Sequence, residues 1–329
     1  MTEKKVKFFS DGIRLAGTLM FPDDYRAGQK RPAILICHGR FAIKEWVPSR
    51  WTPHFLAAGY ICMSFDYRNL GESQGSPGNI IPQEEVRDVS HAITFLQQQP
   101  EVDAQSVGVL GWGLGGGVAV CAAARDDRIK AVVCASGVAN GRDYGKVGLT
   151  ENQWQERQKE IREDRVRRVF EGSSRKIPRA NVRGAPDQRT ETVNQRQSWF
   201  DSLATVVGAE RAADSVKLGI PDEISLESME ALYEFFPDAQ VHLIAPRPLL
   251  VIHSTEDHEF PFEHVRKLYT LAQQPKQLIE VQGAGHLDWI DPQHPTCPIY
   301  VLQVVSWMQA QIPYPLITKT QGANEANET

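Results

Sequence analysis

No stretch of this chain stays apolar for anything near the ~20 residues that a membrane-spanning helix needs, so no transmembrane anchor is expected. The N-terminus, MTEKKVKFFSDG, lacks the apolar centre of a secretory signal. Cysteine is scarce. Cys37, Cys62, Cys121, Cys134 and Cys297 make an odd set with no C-x-x-C pair, which speaks against a zinc or redox motif. Four of them sit in apolar stretches and read as buried thiols of a reducing compartment, so a cytoplasmic protein is expected. Basic charge is not in excess either. With a formal net charge of -5, neither nucleic acid nor an anionic membrane surface is the expected main partner. Internal repeats are absent.

What the chain does have is an alternation of strand-like and helix-like segments. VKFF and IRLAGTLM flank Asp11-Gly12, a hairpin turn. AILIC, YICMSFD, SVGVLG and IKAVVCAS read as strands three to six, separated by the helical stretches PHFLAAG, EEVRDVSHAITFLQQQ and GGVAVCAAA. After Ala139 the rhythm breaks. Eighteen of the forty residues from Glu151 to Thr190 are charged, the mark of a solvated helix followed by loop. The alternation then resumes with PRPLLVIHS, a helix from PFEHVRKLYTLAQ, the strand QLIEV and a closing helix from Pro298 to about Gln311. Repeated β-α units after an initial hairpin predict a doubly wound, mostly parallel α/β sheet. Residues 1–138 and 239–315 form the expected core and 139–238 a cap or lid inserted after the sixth strand. Residues 316–329 form a tail of disorder-prone composition.

The segment VGVLGWGLGGGVAV admits two chemistries. Gly111, Gly113 and Gly116 match the dinucleotide fingerprint G-x-G-x-x-G. Gly111 and Gly115 match the nucleophile elbow G-x-S-x-G, with Gly113 where the serine belongs. Context decides between them. A dinucleotide fingerprint belongs on the first βα turn, with an acid at the end of the next strand. Here more than a hundred residues come first, and the next strand ends CASG.

The elbow has company. ICHGRFAIKE follows the third strand, SFDYRNLGESQG the fourth, HSTEDHEFP the penultimate and GAGHLDW the last. In this order and spacing the set resembles the α/β-hydrolase superfamily, in particular its dienelactone-hydrolase-like and peptidase-S15-like esterases and acyltransferases. The resemblance covers roughly residues 5 to 138 and 240 to 312 and leaves the insertion uncovered. It implies an α/β-hydrolase fold with a helical cap, and a hydrolase-like enzyme that needs no cofactor or metal. His286 is then the expected histidine and Asp257 the expected acid, with Glu256 one position away as the alternative. The oxyanion hole would use the backbone N–H of Leu114 and of Arg40, with Phe41 as second choice. His38 is expected to be structural, as are Asp66, Arg68 and Glu72, which match a turn that buttresses the oxyanion loop. His253, Asp257, His258 and Glu259 invite a metal reading, but a strand-to-loop transition scatters such neighbours.

Gly113 carries no oxygen, so no acyl-enzyme can form through it, while the backbone oxyanion donors do not depend on side-chain identity. Four readings follow. In the first, His286 and Asp257 act as a general base on water or on an acidic C–H, without a serine. The expected partner is a small-molecule carbonyl substrate: an ester, a thioester or a polyketide-like β-dicarbonyl. The outcome would be hydrolysis, C–C cleavage or condensation. In the second, Gly113 replaces the serine of an ordinary hydrolase or acyltransferase. The third enlists Ser136, Cys134 or Ser254 as nucleophile, and the last is a binding protein. Trp112, Ser136 and Trp289 are the candidates for substrate contact. Trp199, Phe200, Leu232, Tyr233, Phe235 and Phe236 either line an acyl pocket or form a small core within the cap. The sequence leaves open whether the chain pairs as a homodimer.

Overall fold

In the computed structural model, residues 2–182 and 218–314 are described. Strands β1 (Thr2–Ser10) and β2 (Ile13–Phe21) form the predicted hairpin, closed by Asp11 and Gly12 at φ of 49° and 80°. Two successive positive-φ residues give the turn whose twist matches that of its strands. β3 (Arg31–Cys37), β4 (Ile61–Phe65), β5 (Val102–Trp112), β6 (Ala131–Ala135), β9 (Leu249–Ser254) and β10 (Lys276–Val281) complete an eight-stranded sheet. Its order is β1-β2-β4-β3-β5-β6-β9-β10, antiparallel only where β2 meets β1 and β4. β3, β4, β6 and β9 are buried along their whole length, which is why they read as unbroken apolar runs rather than alternating ones.

Strand periodicity divides the core. Ala33, Leu35 and Cys37 of β3 face one layer with helices α2 (Pro82–Gln97) and α3 (Leu114–Arg125), while Ile34 and Ile36 face the other with α1 (Val47–Ala57) and the closing helix Cys297–Gln311. All five cysteines are buried and free. Among the described residues, no helix is long and apolar enough to cross a membrane.

Between β6 and β9 the described chain forms α4 (Gly141–Lys146), α5 (Glu151–Glu171), the short pair β7 (Lys176–Pro178) and β8 (Glu223–Ser225), and α6 (Leu226–Tyr233). α5 is bounded by a capping box of Thr150 with Gln153 and by Gly172 at φ 70°. It buries Trp154 and Ile161 with the charged Arg157 and Asp164, and Arg165 and Arg168 tie it to Glu230 of α6. α6 docks on the core through Ser228, whose hydroxyl accepts the Ile80 N–H at 2.8 Å, and through Gln83, whose amide donates to the Ala231 carbonyl at 2.9 Å. Leu232, Tyr233 and Phe235 are buried in the main core layer, and Phe235 and Phe236 also line a small cavity with Gln83, Val86 and Gln240. Trp199, Phe200 and residues 316–329 lie outside the described residues.

Candidate active site

The strands that run parallel bring four chain segments to one edge of the sheet. β5 ends at Trp112, and Gly113 turns the chain into α3 with φ 59° and ψ -124°. Its N–H donates to the Ala135 carbonyl at 3.0 Å, and its own carbonyl accepts from Gly116 and Val138 at 3.0 Å each. The glycines here serve different ends. A Cβ on Gly111 would stand 2.0 Å from the Gly115 carbonyl oxygen, and one on Gly115 would stand 2.3 Å from that of His38. Those two are glycine because backbone passes against backbone. A Cβ on Gly113 would meet only the Gly39 Cα at 3.7 Å and the Phe260 ring at 3.9 Å, ordinary contacts. Gly113 therefore answers to its left-handed φ and not to lack of room.

The loop after β3 lies against this turn, since Gly39 packs on the Trp112 carbonyl. Asp66, after β4, anchors the loop. It accepts the Lys44 backbone N–H at 2.8 Å and the Lys44 ammonium at 2.8 Å, and Glu72 holds the same ammonium at 2.6 Å. Burial opposes the Lys44 charge, but the carboxylates around it push its pKa above the usual lysine value. Arg68 pairs instead with the buried Asp88 at 2.7 Å. The loop also carries Arg40, whose guanidinium lies on the Phe41 ring at 4.7 Å and reaches Met229 of α6 at 3.1 Å. Phe41 itself sits at φ 57°. Leu114, the first residue of α3, has one of the N–H groups that a helix leaves without an internal partner. His38 is fully buried, with Nδ1 on the Gly39 carbonyl at 2.9 Å; burial holds its pKa low.

The other half of the site comes from the loops after β9 and β10. His286 donates from Nδ1 to Asp257 Oδ2 at 2.6 Å, with its side chain 8% exposed and Asp257 fully enclosed. Asp257 Oδ1 accepts the backbone N–H of Glu259 and of Phe260, both at 2.8 Å. Burial alone would raise the Asp257 pKa, but the two imidazoles and these donors outweigh it and hold the group below the usual carboxylate range. Glu256, the alternative acid, donates its backbone N–H to Ser254 Oγ, and it is Asp257 that contacts His286. Phe260 stacks on His286 with centroids 4.8 Å apart and planes at 21°, and Tyr144 of α4 stacks on the outer face of Phe260 at 4.7 Å and 6°.

The sequence-predicted contact residues take other positions. Trp112 touches His286 edge-on at 5.4 Å but is 2% exposed, and Trp289 is fully buried behind it. With Trp51 they form an aromatic core, so neither indole offers a surface to substrate. Ser136 is fully buried at φ 44°, and Cys134 and Ser254 are buried as well, so none of the three is poised as a nucleophile. Among the described residues, no group of three His, Cys, Asp or Glu side chains is arranged for a metal. His253 and Asp257 face each other at 3.5 Å, and the imidazole of His253 is committed to the Phe260 carbonyl. Sequence reasoning missed Phe260, Tyr144 and Lys44. All three act through contacts made across loops, for which no local spacing provides a signal.

A mostly parallel sheet, a glycine-flanked strand-to-helix turn at its centre, and a carboxylate–imidazole pair on the two following loops define the α/β-hydrolase architecture. The sequence model described as the alpha/beta hydrolase fold matches residues 32–293. This chain belongs to that family and is a hydrolase-like enzyme. An uncharacterized protein of Pseudomonas aeruginosa, PA2218, is 29% identical over 88% of this chain and 76% of its own length. The polyketide transferase ATR5 of Stachybotrys chlorohalonatus is 25% identical over 88% of this chain and 92% of its own. The crystal structure of the alpha/beta hydrolase GrgF from Penicillium sp. sh18 superposes with a TM-score of 0.76 at 20% identity, covering 95% of this chain and all of that one.

Proposed function

We propose that this enzyme acts on a carbonyl substrate by general-base chemistry of the His286–Asp257 pair, without a serine nucleophile. The observation that carries the reading is the 2.6 Å bond from His286 Nδ1 to an enclosed, ionised Asp257, on an edge where residue 113 has no side chain. Asp257 fixes the tautomer that leaves the Nε2 lone pair of His286 free to take a proton. The base removes that proton from water, or from a carbon acid between two carbonyls. The backbone N–H groups of Leu114 and Arg40 would receive the negative charge that develops on the substrate oxygen. Water attack cleaves an ester or thioester, or breaks the C–C bond of a β-dicarbonyl with the enolate as leaving group and a proton returned to its carbon, whereas carbon deprotonation gives the enolate for a condensation. The polyketide transferase named among the relatives favours an acyl or polyketide-like substrate.

The test compares the protein with His286→Ala and Gly113→Ser on a short activated acyl thioester and on a β-diketone. Turnover by the unsubstituted protein, its loss in His286→Ala and its indifference to fluorophosphonates are expected. A second reading, an ordinary hydrolase whose serine is replaced, is favoured by the open space around a Cβ at 113. It wins if only Gly113→Ser turns over the thioester.

A further inference from the structure

His253 has no part in the chemistry above, yet it is an enclosed imidazole within reach of the acid. It lies at the end of β9, fully buried, one residue before the strand gives way to the 255–261 loop. Its Nε2 stands 2.6 Å from the Phe260 carbonyl oxygen. A carbonyl only accepts, so this nitrogen carries the hydrogen and Nδ1 is bare. The same Nε2–H stands 3.5 Å from Asp257 Oδ2, the oxygen that receives the His286 Nδ1–H. Burial lowers the pKa of the ring, against the pull of Asp257.

Phe260 is thereby held at four points. Its carbonyl accepts from His253, its N–H donates to Asp257, one ring face meets His286 and the ring packs on Tyr144. The ring also borders the space beside Gly113, 3.9 Å from where a Cβ would stand. A base whose proton must be taken along one direction loses rate steeply when its ring can rotate, because the reacting geometry tolerates little misplacement. His286 is restrained in plane by Asp257 and on one face by Phe260, and both restraints run through the turn that His253 ties to β9.

We propose that His253 is a positioning residue for the His286–Asp257 pair, acting by clamping the Asp257–Phe260 turn so that Phe260 lies flat on His286. The inference rests on the reading of His286 as the base. Phe260 is the contact through which it acts, and Tyr144 extends the stack to α4.

The experiment compares the full chain with His253→Gln, His253→Leu and Phe260→Leu, read by proton NMR of the His286 Nδ1–H resonance and by pH-rate profiles. The short bond to Asp257 makes that proton strongly deshielded. His253→Leu is expected to broaden or shift it, to lower kcat at least about tenfold at nearly constant KM, and to move the acidic limb of the profile. His253→Gln, which keeps an N–H donor toward the Phe260 carbonyl, should restore most of each. Phe260→Leu, which removes the contact through which the clamp acts, should reproduce both the kinetic loss and the change in the proton resonance. An unchanged resonance and rate in His253→Leu would overturn the proposal. In the unsubstituted protein, nitrogen shifts at about pH 8 must show His253 protonated on Nε2; an Nδ1–H tautomer would overturn the proposal even if His253→Leu did not fold. If His253→Leu disturbs the resonance while His286→Ala keeps full activity, the clamp stands and the base reading falls.

Discussion

The two halves of the candidate site are built from different materials. The elbow half, Gly111 to Gly115 with the loop at Gly39 and Arg40, contributes backbone only. The loop half, Asp257 to Phe260 with His286, contributes side chains held by other side chains. The elbow retains its turn through two glycines that have no room for a Cβ and one that has room but a left-handed φ. The loop half retains its geometry through the Asp257–His286 bond and the stacked rings. A residue without a hydroxyl at position 113 therefore leaves the scaffold of both halves intact, because neither the turn nor the Asp257–His286 bond depends on one.

If the side-chain half carries the chemistry, His286→Ala has the largest effect: a loss of about 10²–10⁴-fold in kcat/KM with unchanged melting temperature, measured on the substrates named above. Gly115→Ala comes next and acts on folding. Its Cβ would stand 2.3 Å from a backbone oxygen that cannot move aside, so we expect a loss of about 3 kcal/mol or more in urea unfolding. Gly113→Ala sharpens the contrast within the elbow. With open space but φ 59°, it should cost about 1–3 kcal/mol and keep turnover within about tenfold. A much larger loss of stability would show that space, not conformation, selects Gly113.

The smallest effect separates the site from the helix beneath it. Glu85 of α2 is enclosed, and burial, reinforced by Asp88 and Glu84 and opposed by Arg40 and Arg68, lifts its pKa from 4.5 to about 8. Between those values the native state holds a proton that the unfolded chain has released, so this group lowers stability as pH rises. Asp257 works in the opposite sense: its depressed pKa contributes stability above the ordinary carboxylate range, lost as acid protonates it. Glu85→Gln should thus raise the melting temperature at pH 8 and change it little at pH 4. Equal effects at both pH values would show that Glu85 is ionised in the native state.

Much of the fold was legible because its signals are local. Asp11-Gly12 announced the hairpin, and the runs AILIC and AVVCA announced strands covered on both faces. Boundaries moved where tertiary contacts extend an element: α2 starts at Pro82, two residues before the periodic stretch, and β5 reaches back to Val102. Among the site residues, His286 and Asp257 stood out by motif and do meet. Trp112 and Trp289 were candidates for substrate contact, but the tertiary structure packs them on each other and on Trp51.

The sequence by itself determined the order of strands and helices, the glycine-lined turn after β5 and the absence of an oxygen at residue 113. Each follows from the chemistry of a few consecutive residues. Only the tertiary structure decided that Asp257 rather than Glu256 faces His286, that Phe260 covers the imidazole, and that Lys44 ties the loop after β3 to Asp66. Those choices depend on which way side chains turn where separate loops meet at one sheet edge. Residues up to 29 positions apart come within 2.6 Å there, and no local periodicity encodes that approach.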